Sequence, residues 1–373
     1  MAYLQLDRFR LCMEPLASRE NRITIEEDHV DPATPPAPVS GRAADLLGEL
    51  LARIRSARAA GRPVILAFGA HTIKNGLGPV LIRLLEKGWV THLATNGAAI
   101  IHDWEFSFLG QSSEHVGANV TQGRFGNWEE TGRLINLAIN VGACGGKGYG
   151  EAVGSLIEND GLDIPSAGTL RQQVGDLLAT NPEQAAAAAD LLSIVERFRL
   201  PPGRLEIRHP WKRFSAQAAA LRLGIPFTGH VMIGHDIIYN HPMNHGASLG
   251  RAALRDFLRF ANSVNSLEGG VYLSVGSAVM SPMIFEKSLS MSQNLEIQAG
   301  RRIQNHYIFV ADLAASTWDW SKGEPPETDA AYYQRYNKTF SRMGDTLRYL
   351  QMDNRELLLH LAQGLAAHSS KNA

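Results

Sequence analysis

One stretch of the chain, residues 62–110, constrains the fold more than any other. Residues 64–68 form a short apolar run with the β-branched composition of a strand that is buried on both faces. Residues 79–87 have apolar side chains at helical spacing, with Pro79 suited to a first helical turn, and residues 89–94 predict a second strand. This order is a βαβ unit, so we expect two parallel strands joined by a right-handed crossover.

A glycine-rich polar turn follows each of these two strands. In open parallel sheets, ligands bind beyond the carboxyl ends of the strands, and small residues let a phosphate group come close to the backbone. We therefore predict a cofactor site in these turns, with His71 close by. The predicted cofactor-binding residues here are Gly69, Thr72, Asn75, Gly76, Thr95, Asn96 and Gly97. The alternative is that both segments are ordinary strand-to-helix turns, which need glycine in any case.

The rest of the chain continues the alternation of strands and helices. We predict strands at 226–233, 270–275, 307–312 and 346–351, and helices at 250–264, 282–293 and 354–365. The expected fold class is therefore α/β, with a doubly wound, mostly parallel sheet and helices on both faces. Gly276 and Ser277 follow the strand at 270–275 and are predicted to form a third cofactor contact, unless Ser277 is simply a helix N-cap.

Composition and charge exclude several classes of protein. The net charge of −1 over 373 residues gives no electrostatic footprint for nucleic acid or for an anionic membrane. Cys12 and Cys144 are the only cysteines, too few for a disulfide framework or a cysteine-based zinc site. No apolar run reaches the ~18 residues of a membrane helix, and the N-terminus lacks a secretory signal. We expect a cytoplasmic protein with a small-molecule substrate.

Two polar clusters predict acid–base chemistry or the binding of an amine. His102, Asp103 and Glu105 follow the second glycine turn, and in the alternative interpretation Asp103 serves a helix dipole at a helix start. The second cluster, residues 229–246, holds His230, His235, Asp236, His241 and His245. For His235, Asp236 and His241 we predict substrate binding or proton transfer. Imidazole and carboxylate also suit zinc or iron, but these spacings match no standard metal motif, and structural capping is a third interpretation.

A lysine among aromatic residues is a further candidate. Lys338 lies in the segment 329–340 with Tyr332, Tyr333 and Tyr336. Desolvation by aromatic neighbours lowers the pKa of a lysine and makes it an imine-forming nucleophile. In the alternative, the tyrosines pack on one face of an amphipathic helix and Lys338 extends to water.

The order of these landmarks resembles the deoxyhypusine synthase family. Residues 95–110, TNGAAIIHDWEFSFLG, are similar to its T-x-A/G-G-x-x-x-x-D segment ending in Leu-Gly, with Asp103 on the family's aspartate. IGHDIIYNH is similar to the family's L-G-D-M-I-F-F-H and places Asp236 and His241 on its Asp and His. Residues 274–279 resemble the family's glycine-rich strand end. Residues 349–358 resemble its closing segment, with Asp353 on the aspartate that contacts NAD.

The resemblance implies a Rossmann-like, NAD-binding fold, a homotetramer and an NAD-dependent transferase. The proline density before residue 42 and the alternation of strands and helices after it predict an N-terminal arm and Pro-rich linker (1–42), a single catalytic and NAD-binding domain (43–366) and a disordered tail (367–373). The expected substrate bears an amine, as a polyamine does, or a hydroxyl, and is oxidised by hydride transfer, with Lys338 as the imine-forming lysine. Ile101 and His102 replace the family's paired glutamates, so we expect a substrate other than that of deoxyhypusine synthesis.

Two alternatives from other functional classes stay open on the sequence. One is a nucleotide-binding regulatory or assembly protein that has a cofactor site and no catalytic activity. The other is a metal-dependent hydrolase or lyase built on the histidines of residues 230–245.

Overall fold

The computed structural model describes residues 3–344 and 346–369. The strands are β1 (Asn21–Thr24), β2 (Val64–Phe68), β3 (His92–Asn96), β4 (Gln111–Glu114), β5 (Gly161–Ile164), β6 (Gly203–Glu206), β7 (Phe227–His230), β8 (Val271–Val275), β9 (Tyr307–Asp312) and β10 (Thr346–Gln351). The helices are α1 (Ile25–Asp28), α2 (Gly41–Ala59), α3 (Ala70–Lys74), α4 (Gly78–Glu86), α5 (Gly97–Leu109), α6 (Val116–Thr121), α7 (Glu129–Cys144), α8 (Tyr149–Glu158), α9 (Ala167–Leu177), α10 (Pro182–Arg197), α11 (Ala216–Arg222), α12 (Gly246–Asn265), α13 (Met280–Gln298), α14 (Arg335–Phe340) and α15 (Asn354–Ser369). None of these helices is long and apolar enough to cross a membrane.

Six parallel strands form the central sheet, in the order β7-β3-β2-β8-β9-β10. Numbered along the chain within this sheet, the order is 3-2-1-4-5-6, which is that of dinucleotide-binding doubly wound folds. The α/β fold class and the Rossmann-like sheet predicted from the sequence are therefore confirmed. The direction of winding reverses between β2 and β8, and this reversal defines the point where ligands bind in such sheets.

Side chains of β2 alternate between two apolar cores, one on each face of the sheet. Val64, Leu66 and Phe68 belong to the core that packs beneath α2, α4, α5, α7, α8, α11 and α15. Ile65 and Ala67 belong to the core beneath α12, α13 and α14. All five side chains are completely buried, which explains why the strand is a continuous apolar run in the sequence.

Several element boundaries differ from the predictions. The strands at 64–68, 307–312 and 346–351 are confirmed, but the predicted strand at 226–233 ends at His230. The predicted strand at 89–94 begins only at His92, because Gly88 has φ +68° and the Trp89 amide bonds back to Leu84 O of α4. The first glycine turn contains the short helix α3, which the sequence pattern did not predict.

The N-terminal arm packs on the body of the same chain. Its apolar residues Leu16, Ile25 and Val30 are buried in the core beneath α5. Strand β1 of the arm pairs with β4, and the Val30 amide donates to Gly76 O at 2.9 Å. At the other end, α15 continues to Ser369, and the last four residues of the predicted tail lie outside the described residues.

The turns after β2 and β8 meet at the reversal point of the sheet. The Gly69 amide donates to Val275 O at 3.1 Å, and a Cβ at Gly69 would lie 2.0 Å from Gly276 O. Position 69 therefore has no room for a side chain, although its φ of −85° is open to any residue. Gly276 has φ +55° and open space where a Cβ would stand, so the backbone is accessible from outside.

We predict that Gly69→Ala destabilises the fold by about 2 kcal/mol, because the added methyl group overlaps a backbone oxygen that cannot move without shifting β8. The matched control is Gly48→Ala, within α2, where a Cβ meets nothing and removal of a helical glycine stabilises by about 0.5–1 kcal/mol. Urea denaturation of both variants measures the difference. Equal stability of the two would contradict the close contact of the two turns.

Candidate active site

A cavity of about 200 Å³, lined by both charged and apolar side chains, opens at the carboxyl edge of the sheet, beside the start of α5. Its walls come from the N-terminal arm, α3, α5, β4 and the loop after β7. The residues that line it are Arg19, Lys74, Ala98, Ile101, His102, Glu105, Ser113, Glu114, Val116, Phe125, His235, Asp236 and Ile237. The structure thus brings together the two predicted clusters at 102–105 and 229–246, through His102, Glu105, His235 and Asp236.

Asp236 lies against the N-terminus of α5. A Cβ added at Gly97 would lie only 2.1 Å from Asp236 Oδ2, so the carboxylate fits against α5 because residue 97 is glycine. The carboxylate also accepts a hydrogen bond from the Ala98 amide. Burial raises the pKa of Asp236 to about 6, and this effect outweighs the opposing influence of His235. Asp236 is therefore a carboxyl group that changes its charge near neutral pH at the mouth of the cavity.

A buried ion pair forms the floor of the cavity. Arg19 from the arm donates to Glu105 Oε1 at 2.8 Å and to Glu105 Oε2 at 2.6 Å, and both side chains are only 2% exposed. Burial by itself would raise the pKa of Glu105, but the charge and hydrogen bonds of Arg19 lower it overall. Thr131 and Ser112 also donate to this carboxylate, so the charge of Glu105 is fully compensated within the protein.

His102 stands between this ion pair and the cavity. Its Nδ1 atom lies 2.7 Å from Ser112 Oγ, and burial lowers the pKa of His102 to about 4, so the ring is neutral at neutral pH. Its Nε2 atom makes no hydrogen bond with any residue that the structure describes. A neutral imidazole with one nitrogen available in a cavity suits hydrogen bonding or proton transfer to a ligand.

Sequence reasoning missed two cations of this cavity, Lys74 and Arg19. Lys74 belongs to the polar turn after β2, and it forms no ion pair within residues 3–344 and 346–369, whereas Arg19 is neutralised by Glu105. The position of Lys74 after a buried strand was the available signal. Arg19 gave none, because the arm was predicted to be separate from the catalytic domain.

Asp103 follows the cavity residue His102 in the sequence, but its side chain accepts hydrogen bonds at the start of α11. It is completely buried, and its carboxylate accepts hydrogen bonds from Ser215 Oγ at 2.5 Å, from the Ala216 amide at 3.0 Å and from Gln217 Nε2 at 3.0 Å. Burial raises its pKa, and these hydrogen bonds offset part of the effect. The structure does not bring Asp103 to the cavity. Asp103 serves a helix N-terminus, as in the helix-dipole alternative, but that of α11 and not of its own helix, which begins at Gly97.

The other histidines of residues 229–246, apart from His235, make separate contacts within the protein. His241 Nδ1 accepts from the Met243 amide at 3.0 Å, and Nε2 lies 3.2 Å from Glu129 Oε2, so neither nitrogen faces the cavity. His230 bonds to Thr228 Oγ1 at 3.0 Å, and His245 caps α12. Within residues 3–344 and 346–369, no three His, Cys, Asp or Glu side chains are grouped as metal ligands.

Polar groups at the ends of β2 and β10 are joined by hydrogen bonds. Asn75 Nδ2 donates to Asn354 Oδ1 at 3.2 Å, and Asn354 Nδ2 donates to Thr72 Oγ1 at 3.4 Å. The neighbouring Asp353 accepts from the Arg355 amide at the start of α15, at 2.8 Å. Three predicted cofactor-binding residues, Thr72, Asn75 and Asp353, therefore lie along one edge, with Asn354 as a link that the sequence did not single out.

The other predicted cofactor-binding side chains make local contacts. Thr95 Oγ1 donates to Phe68 O at 2.8 Å, Asn96 Oδ1 caps α5 through the Ala99 amide, and Ser277 Oγ accepts from the Ser281 amide at 3.3 Å. Gly76 has φ +76° and packs against the backbone of the arm, 2.3 Å from Asp28 O to the position of a Cβ. These residues therefore stabilise the glycine turns through contacts with other parts of the protein.

Lys338 lies away from the cavity, in α14. Its Nζ atom is 3.1 Å from Glu324 Oε1 and 3.2 Å from the centre of the Tyr332 ring. Desolvation would lower the pKa of Lys338, but hydrogen bonds with Tyr332 and Glu324 raise it overall. An ammonium group held in this way is not the neutral amine that imine formation needs, and the imine role of Lys338 stays a prediction.

Comparisons with known proteins give fold-level similarity only. No family model and no curated protein matches this chain, so the resemblance to deoxyhypusine synthase also stays a prediction. The ternary complex of AgrE with ornithine and NAD+ is similar over 89% of this chain and 34% of its own, with 15% identity and a TM-score of 0.44. A putative LOR/SDH protein from Methanococcus maripaludis S2 is similar over 90% and 74%, with 13% identity and a TM-score of 0.45.

A third similar structure is ArgZ, an arginine dihydrolase from the ornithine-ammonia cycle in cyanobacteria. It has 13% identity and a TM-score of 0.42, with 88% of this chain and 32% of that chain covered. The present chain thus spans about one third of the length of AgrE and ArgZ. Similarity at this level does not extend to ligands or activity.

We predict that Arg19→Met lowers the free energy of unfolding by about 3–5 kcal/mol, because it leaves the Glu105 carboxylate buried without its counter-ion. Thermal and urea denaturation measure the loss. The matched control is Arg213→Met, whose partner Glu26 is exposed, and which we expect to leave stability unchanged. Equal stability of Arg19→Met and the control would show that the arm does not supply the floor of the cavity.

Proposed function

We propose that this protein is an NAD-dependent enzyme that oxidises a small molecule bearing an amine. In this proposal the dinucleotide lies over the turns that contain Gly69 and Gly276, and the substrate occupies the cavity beside α5. One observation carries the proposal. The reversal point of a sheet with the 3-2-1-4-5-6 strand order lies at the same edge as a cavity that contains Asp236 and a neutral His102.

The residues at the carboxyl edge are compatible with NAD. Gly69 and Gly276 leave the centre of the edge free of side chains, and the open space over Gly276 lets a ligand approach the backbone. Asn75 and Asp353, near the end of β10, offer polar groups for a ribose. NAD, when bound, supplies a hydride acceptor for the carbon that bears the amine.

The charges in the cavity favour a cationic group on the substrate. Glu105 is neutralised by Arg19, and Glu114 lies 3.9 Å from the same guanidinium and accepts from Asn119 Nδ2 and Trp128 Nε1. Among the described residues, Asp236 is thus the cavity carboxylate without a salt bridge, and it is the one we assign to a bound ammonium group. Lys74 is a cation that no described residue pairs with, and it suits an anionic group, either a carboxylate of the substrate or a phosphate of the dinucleotide. The arrangement fits a small amine better than a neutral or dianionic compound.

The test is turnover of NAD with a panel of polyamines and basic amino acids, followed by nicotinamide absorbance and by the mass of the product. We expect Asp236→Asn to lower kcat/KM for the active amine about 10- to 100-fold, the range for a lost hydrogen bond to a charged group. Because Asp236 is protonated below its pKa of about 6, kcat/KM of the native enzyme should rise as the pH rises through about 6. This rise should be absent in Asp236→Asn.

The control for this experiment is Asp163→Asn. The side chain of Asp163 is 82% exposed, and it does not line the cavity. It should leave the kinetics unchanged. Tight NAD binding without turnover of any amine would instead support the nucleotide-binding regulatory protein. Equal loss of activity in the two variants would contradict the role of Asp236.

A further inference from the structure

A continuous chain of four side chains connects the arm to the cavity. Arg19 donates twice to Glu105, Ser112 Oγ lies 2.5 Å from Glu105 Oε2, and His102 Nδ1 lies 2.7 Å from the same Ser112 Oγ. Arg19, Glu105 and Ser112 are buried. Arg19 and Glu105 line the cavity together with His102, and His102 is the one that keeps a nitrogen to which no described residue bonds. The four side chains belong to the arm, β4 and α5, so their hydrogen bonds link three separate elements.

This hydrogen-bonded series of four side chains determines which nitrogen of His102 carries the proton. Arg19 keeps Glu105 ionised, so this carboxylate only accepts hydrogen bonds. Ser112 has a single hydroxyl proton, which it donates to Glu105, and its oxygen must then accept a proton from His102 Nδ1. A neutral imidazole has one N–H group, so Nε2 of His102 is left without a proton.

We propose that His102 Nε2 is a hydrogen-bond acceptor for the substrate, and that Arg19, Glu105 and Ser112 are positioning residues that fix this tautomer. The inference rests on the proposed function and specifies what the cavity recognises. Asp236 is a second acceptor on the same cavity, and a primary amine offers more than one N–H group. The cavity therefore selects an amine or hydroxyl donor and rejects a carbonyl oxygen at this position, because two acceptors would face each other without a proton.

The tautomer is measured directly by NMR of protein labelled with ¹⁵N-histidine, with His102→Gln to assign the signals. We expect His102 to show a protonated Nδ1 and an unprotonated Nε2 at neutral pH. Ser112→Ala removes the acceptor of Nδ1–H and should shift the population toward the Nε2–H form. A native protein with Nε2 protonated at neutral pH would overturn the inference.

Kinetics of a matched pair of variants give the second measurement. The amide of Gln reaches the position of Nε2 and retains an acceptor in the cavity, whereas the shorter Asn reaches only the position of Nδ1 and retains the Ser112 contact. We expect His102→Asn to lower kcat/KM for the active amine about 100-fold and His102→Gln about 10-fold, on the scale of a lost and a weakened hydrogen bond. The loss should appear mainly as a higher KM, because the contact binds the substrate before the chemical step. Equal losses in both variants would overturn the acceptor role.

The two proposals fail in different ways. If an amine is turned over and His102 carries its proton on Nε2, the inference about His102 is wrong and the proposed function stands. If NAD and every amine of the panel fail to react while His102 carries its proton on Nδ1, the proposed function is wrong, and the acceptor role for an amine substrate falls with it.

Discussion

Parallel pairing of β2 with both β3 and β8 is the constraint on which the rest of the structure depends. Because β2 is the first strand of the sheet and lies at its centre, the chain winds outward in one direction through β3 and β7, and in the other through β8, β9 and β10. Both faces of β2 are completely buried, so its register cannot slip without exposing apolar side chains. The turns after β2 and β8 then meet at the reversal point, and Gly69 and Gly276 allow that contact.

Buried charge links this framework to the candidate site. The Arg19–Glu105 pair joins the N-terminal arm to α5 across 86 residues of sequence, and its hydrogen bonds extend through Ser112 to His102. A buried ion pair contributes little net stability against an apolar replacement, but the loss of one partner is costly. We interpret the pair as a positioning device, since its geometry leaves the cavity with a neutral, oriented imidazole.

Much of the fold could be predicted from the sequence, because buried parallel strands are apolar runs that end at glycine. β2 shows this pattern, with Gly69 directly after its last residue, whereas β9 and β10 are followed by Leu313 and Met352. The predicted bounds of all three strands match. The cavity was only partly predictable. Asp236 and His235 were found from their local pattern, but Arg19 comes from a distant arm, and nothing near it in the sequence shows that its partner is Glu105. Asp103 illustrates the converse, because its chemistry suits a catalytic site while the packing of α11 uses it as a cap.

The central claim is that a dinucleotide binds across the turns of β2 and β8, next to the cavity that holds Asp236 and His102. A crystal structure of the protein with NAD tests it most directly. The account predicts electron density for the dinucleotide over Gly69 and Gly276, with its nicotinamide at the mouth of the cavity. Density for NAD elsewhere on the molecule, or its absence from crystals grown at millimolar NAD, would contradict the account.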